Sequence, residues 1–336
     1  MQWIIILTIS SLPTVLFAEF DCPGVSNCTC SRGINGDYDL VCPKEMELAK
    51  LIAHVLPKSY AQIQCTETNS WEELRLLAGI EIGPVNSFVL KFCPFPSSSF
   101  KELMKTFGVP RTEALQVTTH GNLNNELSRK HLEGLKEISK LNLNKNSLRD
   151  LPEDLFHDTT NVTWLDLKYN KVNLPRTIFR YIPKLEVLEL GSNNLTHLEP
   201  GLFSNLTRLR LLNLWGNRLR NLTRALFSDV PNLEHLDLSS NGLNDLPTDL
   251  FADLTKLKNI NLSANNFTSL PQGLFASNTN LERVKLNNNR VLLLRIPAGL
   301  LAVNIQSETF SRDCNVTEVL IDGSESVINL TLQRNC

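Results

Sequence analysis

Neither sign of charge is in excess in this sequence. Lys and Arg number 33 against 35 Asp and Glu, a net charge of −2 over 336 residues. That balance gives no reason to expect a nucleic acid or a membrane surface as partner. Long apolar runs are scarce as well. After residue 18 no stretch reaches the roughly 20 apolar residues that a bilayer span requires. Val291 to Val303 comes nearest, but it is short and carries Arg295 and Pro297. There is no glycine-rich phosphate loop, no nucleophile elbow and no His/Glu metal helix. The six histidines (His54, His120, His131, His157, His197, His235) are scattered. Neither catalytic residues nor a cofactor is therefore expected, and the chain does not read as an enzyme. Cysteine is missing from the whole stretch between Cys93 and Cys314.

That cysteine-free stretch repeats itself. Asparagine recurs at Asn146, Asn170, Asn193, Asn217, Asn241, Asn265 and Asn289, in steps of 24, 23, 24, 24, 24 and 24 residues. Each sits in the same frame of apolar positions, as in Leu233-Glu-His-Leu236-Asp-Leu238-Ser-Ser-Asn241-Gly-Leu243. Phe156, Phe179, Phe203, Phe227, Phe251 and Phe275 follow the first six at nine or ten residues. This is the leucine-rich repeat signature. One such coil cannot bury its own leucines, so coils stack and share a continuous core. The fold class is accordingly α/β: a curved solenoid with a parallel inner sheet, turns and short helical pieces outside, and a disulfide-stapled N-terminal cap. The Asn amide, with donors and an acceptor, suits backbone groups stranded where the chain turns after each strand.

Four segments follow. Residues 1–18 read as a signal peptide, with Trp3–Leu7 and Val15–Phe17 apolar and Ala18 small. Residues 19–110 form a cysteine-rich cap with irregular first repeats. In it Phe88–Cys93 alternates like a strand, and Phe100–Phe107 reads as a short helix with Ser99 as cap. Residues 111–304 carry the repeats, seven regular copies from about 138. Residues 305–336 form a tail bounded by Cys314 and Cys336.

In an exported chain the eight cysteines, Cys22, Cys28, Cys30, Cys42, Cys65, Cys93, Cys314 and Cys336, read as disulfides. No histidine stands at ligand spacing to Cys28-Thr-Cys30, so no metal is expected. Nine acceptor sequences for N-linked sugar make a glycoprotein: Asn27, Asn161, Asn194, Asn205, Asn221, Asn261, Asn266, Asn315 and Asn329.

The cap spacing Cys22-x5-Cys28-x-Cys30-x11-Cys42, with Cys65 and Cys93, resembles the start of an insect Toll receptor ectodomain. So do Leu212-Asn-Leu-Trp215-Gly-Asn217, Ile260-Asn-Leu-Ser-Ala-Asn265, Ser269-Leu-Pro-Gln-Gly-Leu-Phe275 and Asn288-Asn289-Arg290-Val291. The resemblance covers about residues 20–291. It implies an extracellular recognition module for innate immunity or development. Its partner would be a Spätzle-like cystine-knot cytokine, bound on the N-terminal part of the solenoid, with receptor dimerisation as a possible consequence. A microbial ligand is the other ligand class it admits. After Val291 the sequence departs from that pattern, and no signalling domain follows, so as written the chain reads as a soluble ectodomain portion or a decoy. The alternative class is a structural or adhesive leucine-rich glycoprotein of the extracellular matrix. A secreted inhibitor of a foreign enzyme is a third.

Strand alternation projects every second side chain onto the concave face. Trp164, Val187, Leu211 and Trp215 are expected to form one exposed apolar patch there, the kind of surface that partners use. Asp166, Glu189 and Asp237 lie beside it and would complement a basic ligand. All seven are positions that the repeat itself is not expected to dictate. A sugar on Asn261 would block copy six and confine the partner to copies two to four and the cap. His235 reads as a solvated histidine.

Overall fold

The structure, a computed structural model, describes residues 28–33, 35–42, 51–65, 81–119 and 126–290, and the backbone of four strands beyond them. The segment 1–18, Cys22, Asn27, Cys314, Asn315, Asn329 and Cys336 lie outside the described residues.

The chain opens with four strands, β1 (Thr29–Arg32), β2 (Tyr38–Cys42), β3 (Leu51–Leu56) and β4 (Lys58–Cys65), paired antiparallel in sequence order. From β5 (Val85–Lys91) onward the pairing is parallel, through β6 (Ala114–Thr118) and β7 (Lys140–Asn142). The regular coils follow with β8 (Trp164–Asp166), β9 (Val187–Glu189), β10 (Leu211–Asn213), β11 (His235–Asp237), β12 (Asn259–Asn261) and β13 (Arg283–Lys285). One 15-stranded sheet thus runs from cap to last coil.

The parallel order follows from the repeat. Each coil offers three strand residues, the middle one buried: Leu141, Leu165, Leu188, Leu212, Leu236, Ile260 and Val284 are at most 2% exposed. Outside the sheet the phenylalanines make a spine. Phe156, Phe179, Phe203, Phe227 and Phe251 are at most 1% exposed, and the rings of Phe156–Phe179, Phe179–Phe203, Phe227–Phe251 and Phe251–Phe275 lie 6.3, 6.3, 6.1 and 5.8 Å apart.

The asparagines join the coils polar group to polar group. Asn217 Oδ1 accepts from the N–H groups of Asn193 and Leu195, both at 3.0 Å. Its Nδ2 donates to the carbonyls of Leu190 (3.1 Å) and Leu214 (2.9 Å). One amide thereby serves four backbone groups in two coils, and Asn170 repeats the arrangement. The residue just before each Asn is in the left-handed region in all seven copies: Lys145, Tyr169, Ser192, Gly216, Ser240, Ala264 and Asn288 have φ between 53° and 67°. Six of the seven are not glycine, so each costs on the order of 1 kcal/mol. Pairing on both sides over-determines the turn and holds it.

By register Cys93 stands six residues after Ser87, as Asn146 stands six after Lys140. It therefore fills the Asn slot of an early coil, where the repeat also admits cysteine. Instead of an amide ladder it carries a disulfide to Cys65, and a second disulfide joins Cys28 to Cys42. Cys30 is the free thiol among the described residues.

The helix expected after Ser99 is present as α1 (Phe100–Thr106), with Ser99 Oγ accepting from the Glu102 N–H at 3.2 Å. The β3–β4 hairpin goes beyond the sequence reading. Its buried faces are Leu51, Ala53 and Val55 against Ala61, Ile63 and Cys65.

Beyond residue 290 only the backbone of four strands is described. There β14 (Leu293–Pro297) pairs with β16 (Glu318–Asp322), while β15 (Ala302–Asn304) follows β13 in register and pairs with β17 (Leu330–Thr331). The sheet continues past the point where the consensus breaks, because parallel pairing needs backbone groups and not leucines.

A candidate recognition face on the inner sheet

Strand register stacks the inward-projecting side chains of successive coils in columns about 4.8 Å apart. The first column runs Lys140, Trp164, Val187, Leu211, His235, Asn259, Arg283. Trp164, Val187 and Leu211 are therefore adjacent, each half-buried, and form an apolar strip across copies two to four.

The second column runs Asn142, Asp166, Glu189, Asn213, Asp237, Asn261, Lys285. It corrects the expectation that these positions are free of the repeat. Asn142, Asp166, Asn213, Asp237 and Asn261 each accept a hydrogen bond from the N–H two residues on, at 3.0, 2.8, 3.0, 2.9 and 3.2 Å. These are Asx turns that satisfy a donor left over where the strand ends. The column is built largely by backbone need.

The acids of this column are also held in place by their neighbours. Asp166 is 2% exposed, and its carboxylate receives Asn144 Nδ2 at 3.2 Å besides the Lys168 N–H. Lys168 Nζ lies 3.5 Å from Asp166 and 3.2 Å from Glu189, so one cation serves both acids. Burial disfavours the charged Lys168, but Asp166 and Glu189 outweigh it and raise the pKa. Glu189 also takes Asn213 Nδ2 at 2.8 Å, and Asp237 takes the Ser239 hydroxyl and Asn261 Nδ2. The cations at the ends of the face differ. Lys140, Arg283 and Lys285 are exposed and form no ion pair among the described residues. A depression of about 360 Å³ opens between Glu189 and Lys285, with His235, Asn259 and Arg283 in its wall.

The third column holds Trp215, set apart from the apolar strip by the polar second column. Its indole covers Gly191, where an added Cβ would collide with it, and meets the Tyr169 ring edge-on at 5.9 Å. Lys145 Nζ lies 5.3 Å over that tyrosine. Tyr169, 45% exposed, is an aromatic that the sequence reading missed. Its place one residue before the Asn slot, turned outward by positive φ, was the available signal. The expected single patch is thus two aromatic sites divided by a polar stripe.

On the flank just before each strand a further column alternates in charge: Glu186, Arg210, Glu234, Lys258, Glu282. Glu234 bridges Arg210 at 2.7 Å and Lys258 at 2.8 Å. These hydrogen bonds hold its pKa at about 2, against the ordinary 4.5. A depressed carboxylate stabilises the fold above its unfolded pKa and loses that contribution as pH falls. Glu234→Gln is therefore expected to lower the urea midpoint at pH 7. The gap to the parent should close as pH falls from about 4.5 to about 2. A gap that stays constant over that window would contradict the assignment.

These coils define a leucine-rich repeat protein. The family described as "Leucine rich repeat" matches residues 171–219 and 207–267. Within that class the chain is similar to part of an insect Toll ectodomain. It is 32% identical over 169 residues to Protein toll of Drosophila melanogaster, a match covering 50% of this chain and 15% of that protein. A chain of the solved Toll–Spatzle complex, described as a molecular hub in Drosophila development and innate immunity, superposes with a TM-score of 0.72 at 30% identity. That match covers 83% of this chain and 40% of the other. The glycosylated form of the complex gives a TM-score of 0.72, covering 84% and 40%. The chain thus spans less than half the length of these relatives. Among the described residues no helix is long and apolar enough to cross a membrane.

Proposed function

We propose that this chain is an extracellular, non-enzymatic recognition module that holds a protein ligand against the inner sheet. The contact surface in this reading is copies two to four and the cap, with Trp164, Val187 and Leu211 as anchors. The observation that carries it is that in-register apolar strip, set on a solenoid similar to a Toll chain solved with Spatzle. Two disulfides in the cap agree with an oxidising compartment. The ligand class that the similarity favours is a processed Spätzle-like dimer, and a dimeric ligand has room for two copies of this chain. The charge pattern refines the earlier expectation. Lys168 offsets one of the two charges on Asp166 and Glu189, and Arg283 and Lys285 form no ion pair among the described residues, so a ligand with basic groups over the middle of the face and carboxylates toward copy seven fits.

A stacked solenoid is preformed, so binding costs little ordering of the receptor. The test is a titration of the secreted chain with a processed Spätzle-type dimer at physiological salt. Saturable binding, with the stoichiometry reporting one or two chains per dimer, is the expected result. A folded sample that shows no binding at micromolar concentration would remove the Spätzle-like ligand and raise the matrix-glycoprotein reading.

A further inference from the structure

Six of the sugar-acceptor sequences fall within the described residues, and the structure divides them. Asn194, Asn205, Asn221 and Asn266 are exposed, off the inner strands, and their amides have no hydrogen-bond partner among the described residues. Asn161 on the flank is exposed too, although its Nδ2 donates to Lys136 O at 2.7 Å and its Oδ1 accepts from Lys184 Nζ at 2.6 Å, so burial and position on the sheet set Asn261 apart from it. Asn261 is different. It is half-buried on β12 in the middle of the concave face, paired in register with Asp237 on one side and Lys285 on the other.

Its side chain is already committed at both ends. Oδ1 accepts from the Ser263 N–H at 3.2 Å, and Nδ2, the atom that would carry the sugar, donates to Asp237 Oδ2 at 3.0 Å. The three residues Asn261-Leu262-Ser263 match Asp237-Leu238-Ser239 one coil earlier, where the same turn is made with an aspartate and no acceptor sequence arises. The turn needs Asn or Asp first, and its third residue is serine in both coils. Backbone geometry thus accounts for the asparagine at 261, while the third place is free, held by Asn144, Lys168 and Trp215 in other coils with the same turn. The acceptor sequence at Asn261 is also the one of the nine that ends in serine, the weaker acceptor hydroxyl. A sugar here would replace an amide hydrogen between neighbours about 4.8 Å away on either side.

We propose that Asn261 is left unmodified in the exported chain, so that the inner sheet stays bare from copy one to copy seven while the sugars occupy flanks and outer turns. This deepens the recognition reading, since it removes the expected block at copy six and leaves Arg283 and Lys285 open to a ligand. Its test requires no ligand, so its failure is separable from failure of that reading.

Protein secreted by eukaryotic cells is treated with peptide N-glycosidase in heavy-oxygen water, and fragment mass spectra locate each converted asparagine. Asn194, Asn205, Asn221 and Asn266 should carry the label in most molecules and Asn261 in few. Ser263→Ala destroys the acceptor sequence but keeps the backbone N–H that Asn261 accepts from. It should leave the intact glycoprotein mass unchanged apart from one oxygen. Label on Asn261 in half the molecules or more, or loss of one glycan's mass in Ser263→Ala, overturns the proposal.

Discussion

Asn217→Ala should be among the most damaging single changes in the chain, lowering stability by about 4 kcal/mol, a size that belongs to broken buried networks. The side chain is 5% exposed and serves four backbone groups in two coils. Alanine removes these bonds and leaves the N–H groups of Asn193 and Leu195 without their acceptor, while the carbonyls of Leu190 and Leu214 keep Asn193 Nδ2 at 3.0 Å and Asn241 Nδ2 at 3.1 Å. Each buried group left unsatisfied costs roughly 1–3 kcal/mol, less whatever entering water restores. The residue before it, Gly216, is held at a φ of 67° by the same turn, so the backbone there also loses its support. In a solenoid the damage lies between nearest neighbours. Hydrogen exchange should therefore accelerate in copies three and four before it does at copy seven. A melting temperature within a degree of the parent would mean that the ladder is not what couples the coils.

Trp164→Ala combined with Leu211→Ala should weaken ligand binding by about 100-fold or more. Anchors of this kind contribute about 2 kcal/mol or more each when truncated, and tenfold in affinity is about 1.4 kcal/mol. The two residues flank Val187 in one column and are half-buried, so truncation removes contact area without opening the core. The inward face of each coil is carried instead by Leu165, Leu188 and Leu212, all fully buried. Fold and secretion should therefore survive. Trp215 is the poorer probe, because its indole packs on Gly191 and Tyr169 and its loss mixes packing with binding.

The columns were legible in the sequence for a physical reason. With parallel strands in strict register, one period of 24 residues fixes which side chains are neighbours, and Trp164, Val187 and Leu211 meet as the spacing requires. What those neighbours do to one another was not legible. Asp166 reads as an open acid until Lys168 and Asn144 are placed beside it. The Asx turns read as free polar positions because the N–H that they satisfy belongs to the end of a strand only three residues long. Trp215 reads as exposed until the missing side chain at Gly191 gives it a floor. The alternating column from Glu186 to Glu282 was open to view at the same period, but it lies one residue outside the strands on which attention falls. The cap hairpin lacks a period altogether. Its alternation over Leu51–Leu56 and Lys58–Cys65 was the one signal, and the turn passes through Lys58 at a φ of 66°.

The inner-sheet account is tested most directly by parallel titrations of the processed Spätzle-type dimer into the parent chain and the Trp164→Ala, Leu211→Ala variant, both shown to be folded. The account predicts saturation of the parent and a dissociation constant about 100-fold higher for the variant, as two lost anchors imply. Equal dissociation constants would place the ligand on another face and contradict it.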